Sequence, residues 1–201
     1  MLGAPIEFYF DFSSPYGYLA SERIDAIGAE FGREVLWRPV LLGVIFKTTG
    51  QSPLVSQTLR GPYHERDMRR SARKHGIEFA LPDSFPFSSI YACRIFYWLD
   101  ARDRAAAKAY AHAVYRAAFA RNRAVAEPDD AIAIAVECGH AEEAVKAGMQ
   151  DASVKERLRD ETQAAMHKGV FGSPFILVDG EPFWGNDRLG EVREWLQTGG
   201  W

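Results

Sequence analysis

The sequence has no Cys-x-x-Cys pair. Its two cysteines, Cys93 and Cys138, stand far apart in apolar runs (IYACRIFYWL and AIAIAVECG). A dithiol redox centre is therefore excluded, and both residues read as buried structural thiols. Histidine is scarce too: His64, His75, His112, His140 and His167 show no ligand spacing, so no metal site is expected. No apolar run approaches the roughly 18 residues of a membrane helix. The opening MLGAPIEFYFDF has no basic start and includes Glu7 and Asp11. It does not read as a signal peptide, and the expectation is a cytoplasmic protein. Charge bias is small, with 24 Lys and Arg against 27 Asp and Glu, net −3. Neither nucleic acid nor an anionic membrane is an expected partner. The basic stretch RDMRRSARK reads as a solvated helix face.

What is present suits a globular protein. The chain has 201 residues, 47% hydrophobic and 25% charged, enough for one good core or a core with an inserted subdomain. Residues 5–12 (PIEFYFDF) predict a strand apolar on both faces, hence central. A helix follows, with Ser14 as N-cap, Pro15 in the first helical position and Gly32 as its stop. Residues 34–41 predict a second strand that Pro39 confines to an edge or ends early. Strand, helix, strand is a parallel βαβ opening. From about 54 to 168 the pattern is helical, with segments predicted at 62–75, 88–101, 103–121, 128–138, 141–149 and 151–167. Strand character returns at 174–179 (PFILVD). Asp179-Gly180 predicts a hairpin to 181–184, and Asn186 or Asp187 a cap for a last helix ending near Leu196. The fold class expected is α/β: a thioredoxin-like βαβ…ββα frame (1–53 and 169–201) with a large all-helical domain (54–168) inserted.

Three distant segments should meet in that frame. Ser14-Pro15-Tyr16-Gly17 has the spacing of the Cys-Pro-Tyr-Cys redox turn, with Ser14 in place of the nucleophilic cysteine and Gly17 in place of the resolving one. Ser14 is either a helix cap alone or a donor to a thiolate supplied from outside, at a helix N-terminus that favours anions. Ser173-Pro174 is either a cis-proline turn with the Ser173 backbone open to a peptide, or an edge-strand proline. Trp184-Gly185-Asn186-Asp187 is either a capping turn or a cradle for the charged end of an amino acid. A thiol pocket, a backbone pocket and an amino-acid-end pocket together match the parts of glutathione.

FYFDFSSPYGYLA and GVFGSPFILVDGEPFWGNDRLGEVREWL resemble the 2-hydroxychromene-2-carboxylate isomerases. These are relatives of kappa-class glutathione transferases within the DsbA-like thioredoxin superfamily. The likeness spans nearly the whole chain, including LLGVIFKTTGQSP and RNRAVAEPDDAI. It implies a glutathione-binding homodimer with Ser14 facing the glutathione sulfur. It further implies that Ser173, before Pro174, pairs with the tripeptide and that Trp184, Gly185, Asn186 and Asp187 hold the γ-glutamyl end. Lys47 is implied near the carboxylate of a small aromatic substrate, with Gln51 and Ser52 in the contacting loop. Phe85 and Phe87 stand where the family's acceptor pocket varies.

The implied reaction converts 2-hydroxychromene-2-carboxylate to trans-o-hydroxybenzylidenepyruvate by reversible addition of a glutathione thiolate. Two other readings stand beside it: a kappa-class-like glutathione S-transferase, and a non-catalytic thioredoxin-fold module that binds peptides.

Overall fold

The computed structural model describes residues 3–201. Strand β1 (Ile6–Phe10) leads into α1 (Pro15–Glu30) and returns as β2 (Val35–Pro39). Then come α2 (Leu42–Thr49), a 3-10 turn (Leu54–Ser56), α3 (Arg60–His75), α4 (Ile90–Asp100), α5 (Arg104–Phe119), α6 (Pro128–Glu137), α7 (Glu142–Gln150) and α8 (Ala152–His167). The chain closes with β3 (Phe175–Val178), β4 (Glu181–Trp184), a 3-10 turn (Asn186–Arg188) and α9 (Leu189–Thr198). The sheet order is β2-β1-β3-β4. β1 runs parallel to β2, and antiparallel pairs join β1 to β3 and β3 to β4. The architecture is the α/β thioredoxin-like frame with inserted helices that the sequence predicts.

Local chemistry explains most boundaries. β1 is interior, and its Ile6, Phe8 and Phe10 are fully buried. β2 lies at the edge, where Pro39 is tolerated because the ladder bond to β1 comes from the next residue, the Val40 N–H donating to the Phe10 carbonyl at 2.7 Å. Asp179 and Gly180 have φ of 53° and 92°, the paired positive angles of a tight hairpin. Asp151 caps α8 by accepting from the Ser153 N–H at 2.8 Å. The expected cap of the last helix is different: α9 has no side-chain cap, and Asn186 and Asp187 occupy the separate 3-10 turn before it.

Two further differences matter. Leu42–Thr49 form a helix, α2, outside every helical segment that the sequence predicts. Cys138 is only half-buried, because it follows the last turn of α6 rather than lying on its buried face, whereas Cys93 is fully buried.

One apolar cluster runs from the sheet into the inserted helices. Phe10 stacks edge-on against Trp37 and Phe96, and Tyr115 of α5 packs against Phe12, Tyr18 and Phe119. Aromatic side chains each bury a large apolar area, so this cluster fixes α4 and α5 rigidly against β1 and α1. Phe12, two residues before Ser14, and Tyr18, four after it, both belong to this cluster.

Candidate active site

Ser14 owes its position to the turn after β1. Its N–H donates to the Asp11 carbonyl at 2.8 Å. The Asp11 carboxylate accepts from the Ser13 N–H and hydroxyl at 2.7 and 2.8 Å and from the Leu42 N–H at 2.7 Å. The Asp11 N–H donates to Ser173 Oγ at 3.0 Å, and its carbonyl accepts from the Tyr115 hydroxyl at 2.9 Å. One buried residue therefore ties together the start of α1, the start of α2, the Ser173 turn and α5. Burial pushes the Asp11 carboxyl up, against the donors from Ser13 and Leu42 that favour its charged form.

Ser14 Oγ has two bonds. It accepts from the Gly17 N–H at 3.0 Å, as an N-cap does, and it donates to the Ser173 carbonyl at 2.9 Å. The Ser173–Pro174 peptide is cis. The Ser173 N–H has no partner among the described residues. Gly17 explains the missing resolving thiol. A Cβ there would lie 2.6 Å from the Tyr115 hydroxyl and 2.9 Å from Ser173 Oγ.

Above these groups opens a cavity of about 380 Å³. Ser14, Gly172 and Ser173 form its base, and Leu42 and Phe46 of α2 form one wall. Gly50–Val55 continue that wall, and Arg60 and Met68 of α3 with Phe85 and Pro86 close the other side. Trp184 stands at the rim, half-exposed and pressed against Gly172, where a Cβ would collide with its indole.

The site residues expected from sequence divide into two groups. Ser14, Gln51, Ser52, Phe85, Ser173 and Trp184 line the cavity together. Pro174 lies beside it, and its carbonyl accepts from the Gly185 N–H at 3.0 Å. Gly185, Asn186, Asp187 and Lys47 do not line it. Asn186 is buried, and its Oδ1 accepts from Arg23 at 3.3 Å, whereas Asp187 and Lys47 are exposed.

Several lining residues were not singled out from sequence. Among the described residues Arg60 is the single charged one on the cavity surface. It is the first residue of α3, two positions before the predicted start of that helix, so the boundary error hid it. Tyr16 is fixed rather than reactive. Its hydroxyl donates to Asp67 Oδ2 at 2.8 Å, and burial together with that carboxylate pushes its pKa far up. Cys93 is not a nucleophile, since full burial pushes its thiol up and leaves it uncharged.

The cavity thus offers a hydroxyl donor at a helix N-terminus, an unpaired backbone N–H, flat apolar walls and one guanidinium. Such a set suits an extended peptide carrying a sulfur, next to a flat apolar anion. The unpaired Ser173 N–H beside the Ser14 hydroxyl fits the backbone and sulfur of glutathione. Among the described residues no three His, Cys, Asp or Glu side chains converge as metal ligands would, and no helix is long and apolar enough to cross a membrane.

This fold, with a thiol-free turn facing a cis-proline, defines a thioredoxin-type binding site without its own redox pair. The chain belongs to the family of the DSBA-like thioredoxin domain, whose model matches residues 5–197. It is 27% identical over 186 residues to the 2-hydroxychromene-2-carboxylate isomerase of Pseudomonas putida, covering 92% of this chain and 90% of that one. It is 24% identical to human glutathione S-transferase kappa 1, covering 92% and 87%. Among solved structures it superimposes on a 2-hydroxychromene-2-carboxylate isomerase with a TM-score of 0.83, at 26% identity and with 96% and 94% covered. The cytosolic disulfide reductase DsbM of Pseudomonas aeruginosa, solved with GSH, shares the fold at a TM-score of 0.69 and 19% identity.

Proposed function

We propose that the protein is a glutathione-dependent cis–trans isomerase of a small aromatic carboxylate, with conversion of 2-hydroxychromene-2-carboxylate to trans-o-hydroxybenzylidenepyruvate as its reaction. The observation that carries this reading is the Ser14 hydroxyl, held at the N-terminus of α1 and bonded to the carbonyl before cis-Pro174, at the base of a cavity with apolar walls and one arginine.

Ser14 and the N-terminus of α1 would hold the sulfur of glutathione as thiolate, as helix N-termini lower thiol pKa values. The Ser173 N–H and carbonyl would pair with the peptide backbone. Trp184 would cover it at the rim. When bound, glutathione would supply a thiolate that adds to the conjugated carbon; with the hemiketal C–O bond of the chromene opened to phenol and ketone, the former double bond could rotate as a single bond, and loss of the thiolate would give the trans alkene. Leu42, Phe46, Phe85 and Met68 would hold the aromatic ring and exclude water. Arg60 gives an anionic ligand its one charge partner inside the cavity. No oxidant or reductant is consumed, which agrees with a site built from serine rather than cysteine.

The kappa-class relatives support a second reading, in which the thiol adduct is released and the same cavity serves a transferase. One experiment orders these readings. Glutathione is titrated into wild type and Ser14→Ala while thiolate absorbance is followed across pH. The expected result is a lowered thiol pKa in wild type that is lost in the variant, followed by turnover of the chromene carboxylate. A lowered pKa with turnover only of other electrophiles favours the transferase. Absence of glutathione binding overturns both.

A further inference from the structure

On the far side of α2 lies a second cavity, a groove of about 240 Å³ between α2, α4 and α8. Its surface is mostly apolar, from Leu41, Val44, Ile90, Leu158 and Met166. Val44 is 42% exposed there, an aliphatic side chain left open to water. Among the described residues three cations edge the groove, Arg94, Lys155 and Arg159, and no carboxylate lines it. Arg159 is occupied by Glu156 and Asp160. Arg94 and the exposed Lys155 make no ion pair among the described residues. The Arg94 guanidinium rests over the Tyr91 ring, 5.8 Å from its centroid, and its terminal N–H groups make no hydrogen bond among the described residues, which leaves them for an anion.

We propose that this groove is a second ligand site, for an amphiphilic carboxylate whose apolar body lies on Leu41, Val44 and Leu158 and whose carboxylate meets Arg94 and Lys155. Charge and surface both select that class. A free inorganic anion would waste the apolar floor, and a neutral hydrocarbon would leave Arg94 and Lys155 without a counter-charge.

The groove is coupled to the catalytic cavity by a shared element. Leu42 and Phe46 of α2 line the catalytic cavity, while Leu41 and Val44 of the same helix line the groove. Two side chains hold the helix start in place. The Leu42 N–H donates to the Asp11 carboxylate at 2.7 Å, and the Leu41 N–H to Thr162 Oγ, which also lines the groove, at 3.3 Å. A ligand that wedges Val44 shifts α2 and with it Phe46, so occupancy of the groove changes affinity in the catalytic cavity.

The test is calorimetric titration of 2-naphthoate into wild type and three variants. Val44→Trp fills the groove, Arg94→Gln removes its anion partner, and Leu54→Trp fills the catalytic cavity instead. The expected result is a site lost in Val44→Trp, weakened about tenfold in Arg94→Gln and retained in Leu54→Trp. Saturating 2-naphthoate should then shift the glutathione affinity of wild type by more than that of Val44→Trp, where only the catalytic cavity is left to take it. Binding lost only in Leu54→Trp, or no binding to wild type, overturns the proposal. So does a sedimentation mass that falls on Val44→Trp or Arg94→Gln, since the groove would then be covered by a second copy of the chain. The coupling measurement rests on the glutathione reading and the groove titration does not, so failure of one is distinguishable from failure of the other.

Discussion

The Ser14 hydroxyl donates its proton to the Ser173 carbonyl at 2.9 Å, across 159 residues of sequence. The two groups that a thiol peptide would engage thus satisfy each other in its absence. A ligand carrying both a sulfur and an amide donor can replace this one bond with two. A ligand carrying the amide alone must break it or leave it. Glutathione should therefore bind more tightly than its analogue with alanine in place of cysteine, and Ser14→Ala should erase most of the difference. Competition calorimetry with the two tripeptides reads this directly.

Ser14→Ala also removes the acceptor for the Gly17 N–H. Loss of the cap should cost about 1 kcal/mol of stability, read by urea unfolding. Loss of the sulfur's hydroxyl partner should cost about a hundredfold in turnover, the usual scale for one preorganised donor. Ser14→Thr keeps both the cap and the donor and should retain more of each.

Restoring a dithiol turn is expected to fail for a steric reason. Any Cβ at position 17 meets the Tyr115 hydroxyl and Ser173 Oγ. Gly17→Cys, alone or with Ser14→Cys, should lose about 1–3 kcal/mol, as overpacked cores do. Gly190→Ala is the control. It sits in α9 with nothing within 4 Å of the added carbon, and it should gain about 0.5–1 kcal/mol. Urea midpoints of the two variants should move in opposite directions.

Arg60 and Lys47 make a similar contrast. Arg60 lines the cavity, and Lys47 does not. Phe46 faces the cavity from α2, and a residue one position later points about a quarter turn away. Arg60→Ala should weaken binding of a carboxylate-bearing ligand about tenfold, and Lys47→Ala should change it little. Equal losses would show that Lys47 swings over the cavity on ligand binding.

The same helix shows where sequence was informative and where it was not. Ser14, Pro15 and the Asp179-Gly180 turn carry strong local signals, because capping, fixed φ and paired positive φ each demand particular residue types. The two ends of the chain were accordingly legible. α2 has only eight residues, no side-chain cap, and a glycine and a valine near its start. Its helical state comes from burial of Leu42 and Ile45 and from the Asp11 carboxylate on its first N–H, none of which is local in sequence. Without that helix the facing of Lys47 could not be worked out. Arg60 was lost to a two-residue boundary error, and Asp11 because its partners Leu42, Ser173 and Tyr115 lie in three other segments.

Glu22 should dominate one part of the acid response. Burial raises its carboxyl, but the His112 ring and the Arg116 guanidinium beside it outweigh burial and bring it down to about 2, from 4.5. Arg116 grips it at 2.9 and 2.7 Å, joining α1 to α5. With the folded value depressed, the unfolded chain takes up this proton first as the pH falls. The stabilisation is therefore complete above about 4.5 and drains away as the pH drops through about 2. The Arg116 side chain is 50% exposed, so solvent screening reduces the gain to about 1–2 kcal/mol. Glu22→Gln should be less stable than wild type by that amount at neutral pH, and the gap should close steadily between about pH 4.5 and 2. Urea unfolding at a series of pH values measures it. A gap that stays constant down to pH 2 would mean that Glu22 acts through packing and not through its charge.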